Sequence, residues 1–133
     1  DWGTISKADG TPYATKKGAF RNHPSTKWAA ESLYNTAWLI QHGCALASEY
    51  HYRYGKIHTC AQTLFEAKKL FHRKSDMAIV CHTQAKDFSR AMPDEWKFDD
   101  TIDTFTAYKR YIASKPWVKD NYLRKPERKP DWI

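Results

Sequence analysis

Long apolar runs, cysteine and glycine are scarce in this chain of 133 residues. The longest apolar stretch is interrupted at residues 41–43, short of the roughly 18 to 20 residues that a membrane-spanning helix needs. No charged start is followed by the apolar region of a signal peptide. Three cysteines are too few, and an odd number, for a disulfide framework. These absences argue against membrane contact and predict a cytoplasmic protein in a reducing compartment.

Three catalytic signatures are also missing from the sequence. It holds no glycine-rich phosphate loop, no G-x-S-x-G nucleophile elbow and no H-E-x-x-H zinc motif. Hydrolysis of nucleoside triphosphates is therefore disfavoured, and no cofactor is predicted.

Aromatic residues and basic charge, in contrast, are abundant. Aromatic side chains make up 15% of the chain, which supplies bulky core residues and argues against disorder. The net charge is +7, and residues 109–133 hold eight basic residues against three acidic ones. This surplus favours a polyanionic partner such as nucleic acid, although many basic proteins of this size bind no specific polyanion.

Apolar periodicity predicts an all-α fold, a compact single-domain helical bundle with a long central helix. One apolar stripe has three- and four-residue spacing, as on a helix face that packs into a core. It consists of Leu33, Ala37, Ile40, Cys44 and Ala47. The stripe predicts one helix from about Pro24 to about Tyr54, kinked at Gly43 and ended by Gly55.

Shorter elements are predicted on either side of this helix. Residues 57–72 and about 102–112 have helical spacing, 77–80 are interpreted as a helix, and 92–95 as a turn, with caps for the following helix at 99–101. The domain is expected to comprise an extended arm (1–22), a helical core (23–114) and an extended, proline-rich basic tail (115–133).

A second stripe lies opposite the apolar one on the central helix. Its members fall within about 60° of one another on the helical wheel. They are Trp28, Glu31, Asn35, Trp38, His42, Glu49 and Arg53. Tryptophans interleaved with a carboxylate, an amide and an imidazole are typical of a groove that stacks a ring and hydrogen-bonds its edge. Alternatively the tryptophans pack beneath the arm or the tail, and the sequence favours neither interpretation.

Residues 49–58 have the sequence E-Y-H-Y-R-Y-G-K-I-H and concentrate aromatic and ionisable side chains more than any other segment. Three tyrosines, two cations and two imidazoles around a helix end combine phosphate-binding charge with stacking surface, as single-stranded or distorted nucleic acid requires. Alternatively the tyrosines pack in the core, and Arg53 and Lys56 complement the helix dipole. Tyr54, Lys56 and His58 thus join Arg53 as candidate nucleic-acid-binding residues.

A zinc site is disfavoured by spacing. His58 and Cys60 diverge by about 160° at a helix start, and the adjacent Cys81 and His82 are a rare ligand pair. Buried free thiols are the preferred interpretation, and no metal is predicted.

The segment M-P-D-E-W-K at 92–97 places two carboxylates, Asp94 and Glu95, beside Trp96 and Lys97. A carboxylate on such a loop can act as a general base or orient an amine. Asp and Pro are also ordinary turn residues, so turn formation is the alternative.

Four motifs together resemble a family of small proteins of uncharacterised role from bacteriophages and large algal viruses. They are H-P-S-x-x-W-x-x-E-S-x-x-N-x-x-W-L at 23–39, E-Y-x-Y-R-Y-G-K-x-H at 49–58, M-P-D-E-W-K at 92–97 and A-Y-K-R-Y at 107–111. The resemblance covers most of residues 23–133. That family is in turn similar to the phage pyrimidine-dimer DNA glycosylase (endonuclease V), a compact all-α protein that excises damaged bases and nicks the strand.

The resemblance implies a DNA-associated protein of the infected host's cytoplasm, a base-excision glycosylase or abasic-site lyase acting on damaged or modified DNA. In the phage glycosylase the amine that attacks the sugar C1′ is the free N-terminus, and a carboxylate on the first helix assists. If this chain uses a different site, the candidate amines are Lys56 and Lys97. The candidate catalytic carboxylates are Glu31, Glu49, Asp94 and Glu95. The candidate nucleic-acid contacts are Trp28, Asn35, Trp38, Arg53, Tyr54, Lys56, His58, Lys97 and the cations of the tail.

Members of the phage family carry a further N-terminal segment with an Asp-Lys-His motif ahead of the matched part. If the chemistry lies in that segment, residues 1–133 form a binding scaffold, so the sequence leaves open whether this chain is an enzyme. Two other classes also stay open. One is a noncatalytic module that binds a host protein or RNA, and the other is an enzyme for a small nucleotide or nucleobase, in which the aromatic wall closes into a pocket.

Overall fold

The computed structural model describes residues 7, 9–11, 20–74 and 88–133. Within these ranges the chain forms five α-helices, two short 3₁₀ helices and no strand, which confirms the all-α prediction. They are α1 (Pro24–Glu31), α2 (Leu33–Tyr54), α3 (Ala61–Lys74), α4 (Asp94–Lys97), α5 (Thr104–Ala113), η1 (Val118–Tyr122) and η2 (Pro126–Arg128). No helix in the described part of the chain is long and apolar enough to cross a membrane.

Contacts between residues divide the chain into two compact units, residues 1–86 and residues 87–133. The first unit contains α1, α2 and α3, and the second contains the remaining helices. The predicted single-domain organisation stays a prediction. The helix expected at 77–80 and most of the arm at 1–22 lie outside the described residues.

The predicted continuous helix from Pro24 to Tyr54 is wrong, because the chain breaks at Ser32. This residue has an extended backbone (φ −156°, ψ 157°) and caps α2, its Oγ accepting from the Asn35 N–H at 3.1 Å. Nδ2 of the Asn35 side chain donates to the Trp28 carbonyl at 2.8 Å, and the Thr36 hydroxyl donates to the Ala29 carbonyl at 2.7 Å. The first turn of α2 thus satisfies carbonyls at the end of α1 that have no partner within their own helix.

The contact between α2 and α3 depends on Gly43. A Cβ atom at Gly43 would lie 2.6 Å from Cδ2 of Leu64, so glycine is the residue that permits this approach. The prediction that the helix continues past this glycine is confirmed, since α2 runs from Leu33 to Tyr54. Its role is close packing between helices.

The ends of α2 and α3 are set by local hydrogen bonds. Gly55 ends α2 in the left-handed region (φ 64°), its N–H donating to the His51 carbonyl at 2.8 Å, which confirms the predicted C-cap. Helix α3 begins at Ala61 and not at Ile57, because Nδ1 of His58 accepts from the Cys60 N–H at 3.1 Å and forms a turn before the helix.

Buried apolar side chains are few in the first unit. Ala37 and Phe71 form its central pair, with Ile40 packed against them, and Trp28 and Ala61 are also buried. The apolar stripe of α2 therefore does supply core residues, although its first member, Leu33, is exposed.

The second unit is organised around two polar side chains near its start. Nη1 of Arg90 donates to the carbonyls of Trp96 (3.1 Å) and Asp99 (2.6 Å), and Nη2 donates to the Ile102 carbonyl. The Tyr108 hydroxyl donates to the Ser89 carbonyl at 2.6 Å and accepts from the Ala91 N–H at 3.0 Å. We call these two side chains, with the backbone groups they bond, the Arg90–Tyr108 clasp.

Three predictions for the second unit are corrected by these elements. Asp94 and Glu95 lie in the first turn of α4 and not in a simple turn. Asp103, not residues 99–101, caps α5, since its Oδ1 accepts from the Thr106 N–H at 2.7 Å. The tail is not extended, because bonds between residues three apart form η1 and η2, and Val118 is buried.

Candidate nucleic-acid interface

The predicted polar and aromatic stripe begins with a column of three rings. Trp28 meets Trp38 edge to face, with ring centroids 5.9 Å apart, and Trp38 stacks on His42 at 4.8 Å. Trp28 is only 4% exposed. Its burial contradicts the prediction that Trp28 is a nucleic-acid contact, because no face of the ring is left for a ligand.

The stack has an electrostatic effect on His42. The Trp38 ring covers one face of the imidazole at an interplanar angle of 10°. His42 is exposed overall, but partial burial of its imidazole, on which Trp38 stacks, penalises the charged form and lowers the pKa of His42 below the ordinary histidine value. His42 is therefore biased toward the neutral state, which suits ring packing better than phosphate binding.

Asn35 is likewise engaged within the fold. Its side-chain amide is the donor to the Trp28 carbonyl that joins α1 to α2. Binding the edge of a base would require this amide to give up a helix-terminal carbonyl, so the structure assigns Asn35 to the junction of the two helices.

Glu49 and Arg53 form an ion pair one turn before the end of α2. Nε of Arg53 lies 2.7 Å from Oε1 of Glu49, and both side chains are largely buried. The pair follows the i, i+4 spacing of a helix, which stabilises both charged forms locally. A phosphate contact by Arg53 would compete with Glu49 for the same guanidinium.

The end of α2 and the residues that follow it, 50–58, present aromatic surface together with positive charge. We call this segment the tyrosine end. The Tyr50 ring contacts the Tyr54 ring at 4.8 Å and the His58 ring at 4.9 Å, so these three rings form one cluster. Tyr52 is 50% exposed, and Lys56 is exposed. The segment contains no acidic residue.

The four predicted catalytic carboxylates lie on three helices. Glu31 is the exposed last residue of α1, Glu49 is paired with Arg53 on α2, and the exposed Asp94 and Glu95 lie on α4. Within the first unit, no described contact joins Glu31 to Glu49. Lys97, a candidate amine and phosphate contact, lies 5.0 Å from the Phe98 ring centre.

A metal centre is not found among the described residues, where no three His, Cys, Asp or Glu side chains converge. Cys81 and His82 lie outside that part of the chain. Cys60 is exposed and Cys44 is only half-buried, which corrects the prediction of buried thiols.

An apolar cleft of about 620 Å³ opens in the first unit, away from the predicted stripe. Its described lining is Ala30, Ser32, Leu33, Thr36, Ile40, Ala67, Leu70 and Phe71. Ser32 and Thr36 are the polar members of this lining, and both hydroxyls already serve the α1–α2 junction. None of the predicted catalytic or nucleic-acid-binding residues is in this described lining, so the aromatic wall does not enclose the cleft.

A basic surface on α3 was missed by the sequence analysis. Lys68, Lys69, His72 and Arg73 line a shallow recess of about 520 Å³. The signal was the pattern K-K-x-x-H-R at 68–73, which places like charges four residues apart and therefore side by side on one helix.

No protein-family model matches this chain, and no curated protein or solved structure matches it either. The resemblance to phage and algal-virus proteins therefore stays a prediction.

Proposed function

We propose that this chain is a DNA-binding protein that contacts single-stranded or distorted DNA through the tyrosine end of α2. The observation that carries the proposal is the half-exposed ring of Tyr52 close in sequence to the exposed Lys56, in a segment without any acidic residue. Aromatic rings stack on unpaired bases of any sequence, and nearby cations bind the phosphates between them.

The neighbourhood of these two residues supports the same function. Ile57 is 79% exposed directly after Lys56. An exposed apolar side chain beside a cation can insert between partly unstacked bases. The one acidic residue adjoining the segment, Glu49, is occupied by Arg53 and does not offset the charge of Lys56.

The proposal is tested by measuring fluorescence anisotropy of a labelled single-stranded oligonucleotide and of its duplex across a series of salt concentrations. Binding to phosphates requires log K to fall with log salt, by about 0.7 per phosphate contact on a single strand. We expect salt-dependent binding that is tighter for the single strand. A flat salt dependence, or no binding to either DNA, would overturn the proposal.

Two variants assign the binding to the tyrosine end. Tyr52→Leu removes a stacking ring and is expected to cost about 1–3 kcal/mol of binding free energy. Lys56→Gln should lower the salt slope by about 0.7. Lys27→Gln removes the same charge from the exposed face of α1 and is the matched control. Equal losses from Lys56→Gln and Lys27→Gln would mean that only net charge matters.

Base excision with abasic-site cleavage is the more specific form of this proposal, implied by the resemblance to phage glycosylases. Glu49 is the favoured carboxylate, because it is partly buried and is held in place by Arg53, whose Nε lies 2.7 Å from its Oε1. Incubation with abasic-site DNA under borohydride tests it, since an imine with a lysine would be trapped covalently. Trapping that is lost in Lys56→Gln supports the enzyme, and binding without trapping or strand nicks leaves a noncatalytic DNA-binding protein.

A further inference from the structure

The outward side of α3 carries a concentrated positive charge that the tyrosine end does not include. Lys68, Lys69 and Arg73 are exposed, and together with the half-buried His72 they line one recess. At 100° per residue these four positions fall within an arc of about 140°, opposite the side on which Phe71 is buried. One continuous cationic surface results, which we call the α3 basic face.

This charge has no compensation in the described structure. No ion pair joins Lys68, Lys69 or Arg73 to a carboxylate within the described residues. The single acidic residue of α3, Glu66, accepts instead from Nε2 of Gln62 at 2.9 Å. Lys69 and Arg73 lie four residues apart, and like charges at this spacing repel each other and destabilise the helix.

The helix dipole accounts for only part of this arrangement. Cations in the last turn of a helix are favoured by the partial negative charge at its C-terminus, and Arg73 lies in the last turn of α3. Lys68 and Lys69 lie one turn or more before that end, where the effect has fallen away. Their presence on the same side as Arg73 points to an external polyanion.

Phe65 identifies the class of polyanion. It is 45% exposed, and it lies three and four residues before Lys68 and Lys69, so its ring is a neighbour of both ammonium groups on the helix surface. A duplex backbone or a simple polyphosphate offers no partner for an exposed phenyl ring. An unpaired base does, because its flat face stacks on the ring while the adjoining phosphates meet the lysines.

We propose that the α3 basic face is a second binding surface for single-stranded nucleic acid, on which Lys68, Lys69 and Arg73 bind phosphates and Phe65 stacks on a base. The inference rests on the proposed function for the class of ligand, but it concerns a different set of residues.

The test uses the full chain and a fluorescein-labelled oligothymidylate, with polyglutamate as an acidic peptide and a duplex of equal length as competitors. The variant K68Q/K69Q/R73Q should weaken binding at least about tenfold at low salt and reduce the salt slope by about 2, since three phosphate contacts are lost. K7Q/R21Q/K27Q removes three exposed charges elsewhere in the same unit and is expected to change affinity by less than about threefold.

Phe65→Leu keeps an apolar side chain and every charge, and it tests the stacking step separately. We expect roughly fivefold weaker binding or more, with the salt slope unchanged. Circular dichroism of each variant checks that α3 is still helical. If Phe65→Leu binds as the unaltered chain does, or if duplex or polyglutamate competes as well as the single strand, the assignment to single-stranded nucleic acid is overturned.

The result also separates this inference from the proposed function. If K68Q/K69Q/R73Q binds like the unaltered chain while Tyr52→Leu and Lys56→Gln lose affinity, the α3 basic face is not a site and the proposed function stands. If the unaltered chain binds neither oligothymidylate nor duplex, both are wrong.

Discussion

Both compact units contain packed rings, but their polar side chains bond the backbone differently. In the first unit Asn35 and Thr36 bond carbonyls at one junction between two helices, whereas in the second unit Arg90 and Tyr108 bond backbone groups of several segments. Trp28, Trp38 and His42 form a column of rings in the first unit, and Gly43 lets α3 approach α2. In the second unit Arg90 bonds the carbonyls of Trp96, Asp99 and Ile102. Residue types that suggest a binding site in a sequence can therefore serve instead in ring packing or in hydrogen bonds to the backbone within the fold.

This contrast bears on where function lies. The rings and polar groups at the start of α2 are used to pack against α1, and Arg90 is used to close the second unit. Exposed cations lie beside exposed rings at the tyrosine end and on the α3 basic face of the first unit, and also at Lys97 and Phe98 of the second unit. Function is proposed for the two surfaces of the first unit, because residues 94, 95, 99 and 100 place four carboxylates next to Lys97 and Phe98 in the chain.

Arg90→Met is expected to give the largest change, a loss of about 3 kcal/mol or more from the stability of the second unit. Methionine keeps much of the apolar stem but leaves three partly buried carbonyls without their charged donor, and each such bond contributes about 1.5–3 kcal/mol. Amide hydrogen exchange followed separately over α2 and α5 is the measurement. Arg110→Gln, which breaks only an exposed 4.0 Å contact with Asp99, is the control. Equal effects of the two changes would show that the clasp is not what holds the unit.

Gly43→Val tests the packing of the first unit and should destabilise it by about 1–3 kcal/mol, because the new side chain meets Leu64. Urea denaturation monitored through tryptophan fluorescence gives the value. Ala45→Val places the same residue at an exposed position of α2 and controls for helix propensity. If the close approach to Leu64 causes the loss of stability, Gly43→Val should cost less stability when Leu64→Ala is also present. An equal cost of Gly43→Val with and without Leu64→Ala would contradict this explanation.

Tyr108→Phe removes only the hydroxyl from the Arg90–Tyr108 clasp and should cost about 1–2 kcal/mol. The Ser89 carbonyl and the Ala91 N–H both lose their partner, while the stacking of Phe88 on the ring is kept. Amide hydrogen exchange over α5 should become faster in Tyr108→Phe. Tyr111→Phe keeps the contacts of that ring with Trp96 and Lys115 and is expected to change little. If Tyr111→Phe cost more stability than Tyr108→Phe, the stabilising role given to the Tyr108 hydroxyl would be wrong.

The smallest effect is expected from pH. Partial burial of the imidazole lowers the pKa of His42 in the folded chain, so the unfolded chain binds this proton more readily. The contribution of neutral His42 to the free energy of unfolding is complete above the ordinary histidine pKa of about 6.5 and is lost as pH falls through that value. Below the lowered pKa of the folded chain the free energy of unfolding no longer changes with pH through this group. His42→Phe keeps a ring on Trp38 and should flatten the pH dependence of unfolding between about 7 and 5. His51→Gln removes an imidazole of the same helix that lies outside the column of Trp28, Trp38 and His42, and it is the control that should leave the pH dependence in place.

Several features of the fold could be read from local sequence. Pro24 starts α1 and Gly55 ends α2 as predicted, because proline suits the first helical position and glycine adopts the left-handed conformation at little cost. The Glu49–Arg53 pair also follows from its spacing, although the sequence pattern suggests phosphate binding and catalysis for these two residues. The position of the α3 basic face is evident in the same way from the spacing of its cations.

Other features could not be read from local sequence. The break at Ser32 depends on Asn35 and Thr36 reaching carbonyls seven residues back, on a helix that lies against α2 only in the folded chain. The burial of Trp28 depends on the same packing of α1 against α2. Its position on the helical wheel alone could not distinguish a buried ring from a ring that stacks on a base.

The sequence by itself determined that this protein is helical, where several helices end, and that it carries an excess of positive charge. These properties depend on backbone preferences and on neighbours within about four residues, which are explicit in the order of the amino acids. Only the tertiary structure decided which aromatic and polar groups are consumed by packing. Every residue offers a carbonyl that a side chain such as Arg90 can bond, and the folded chain alone brings particular ones within reach.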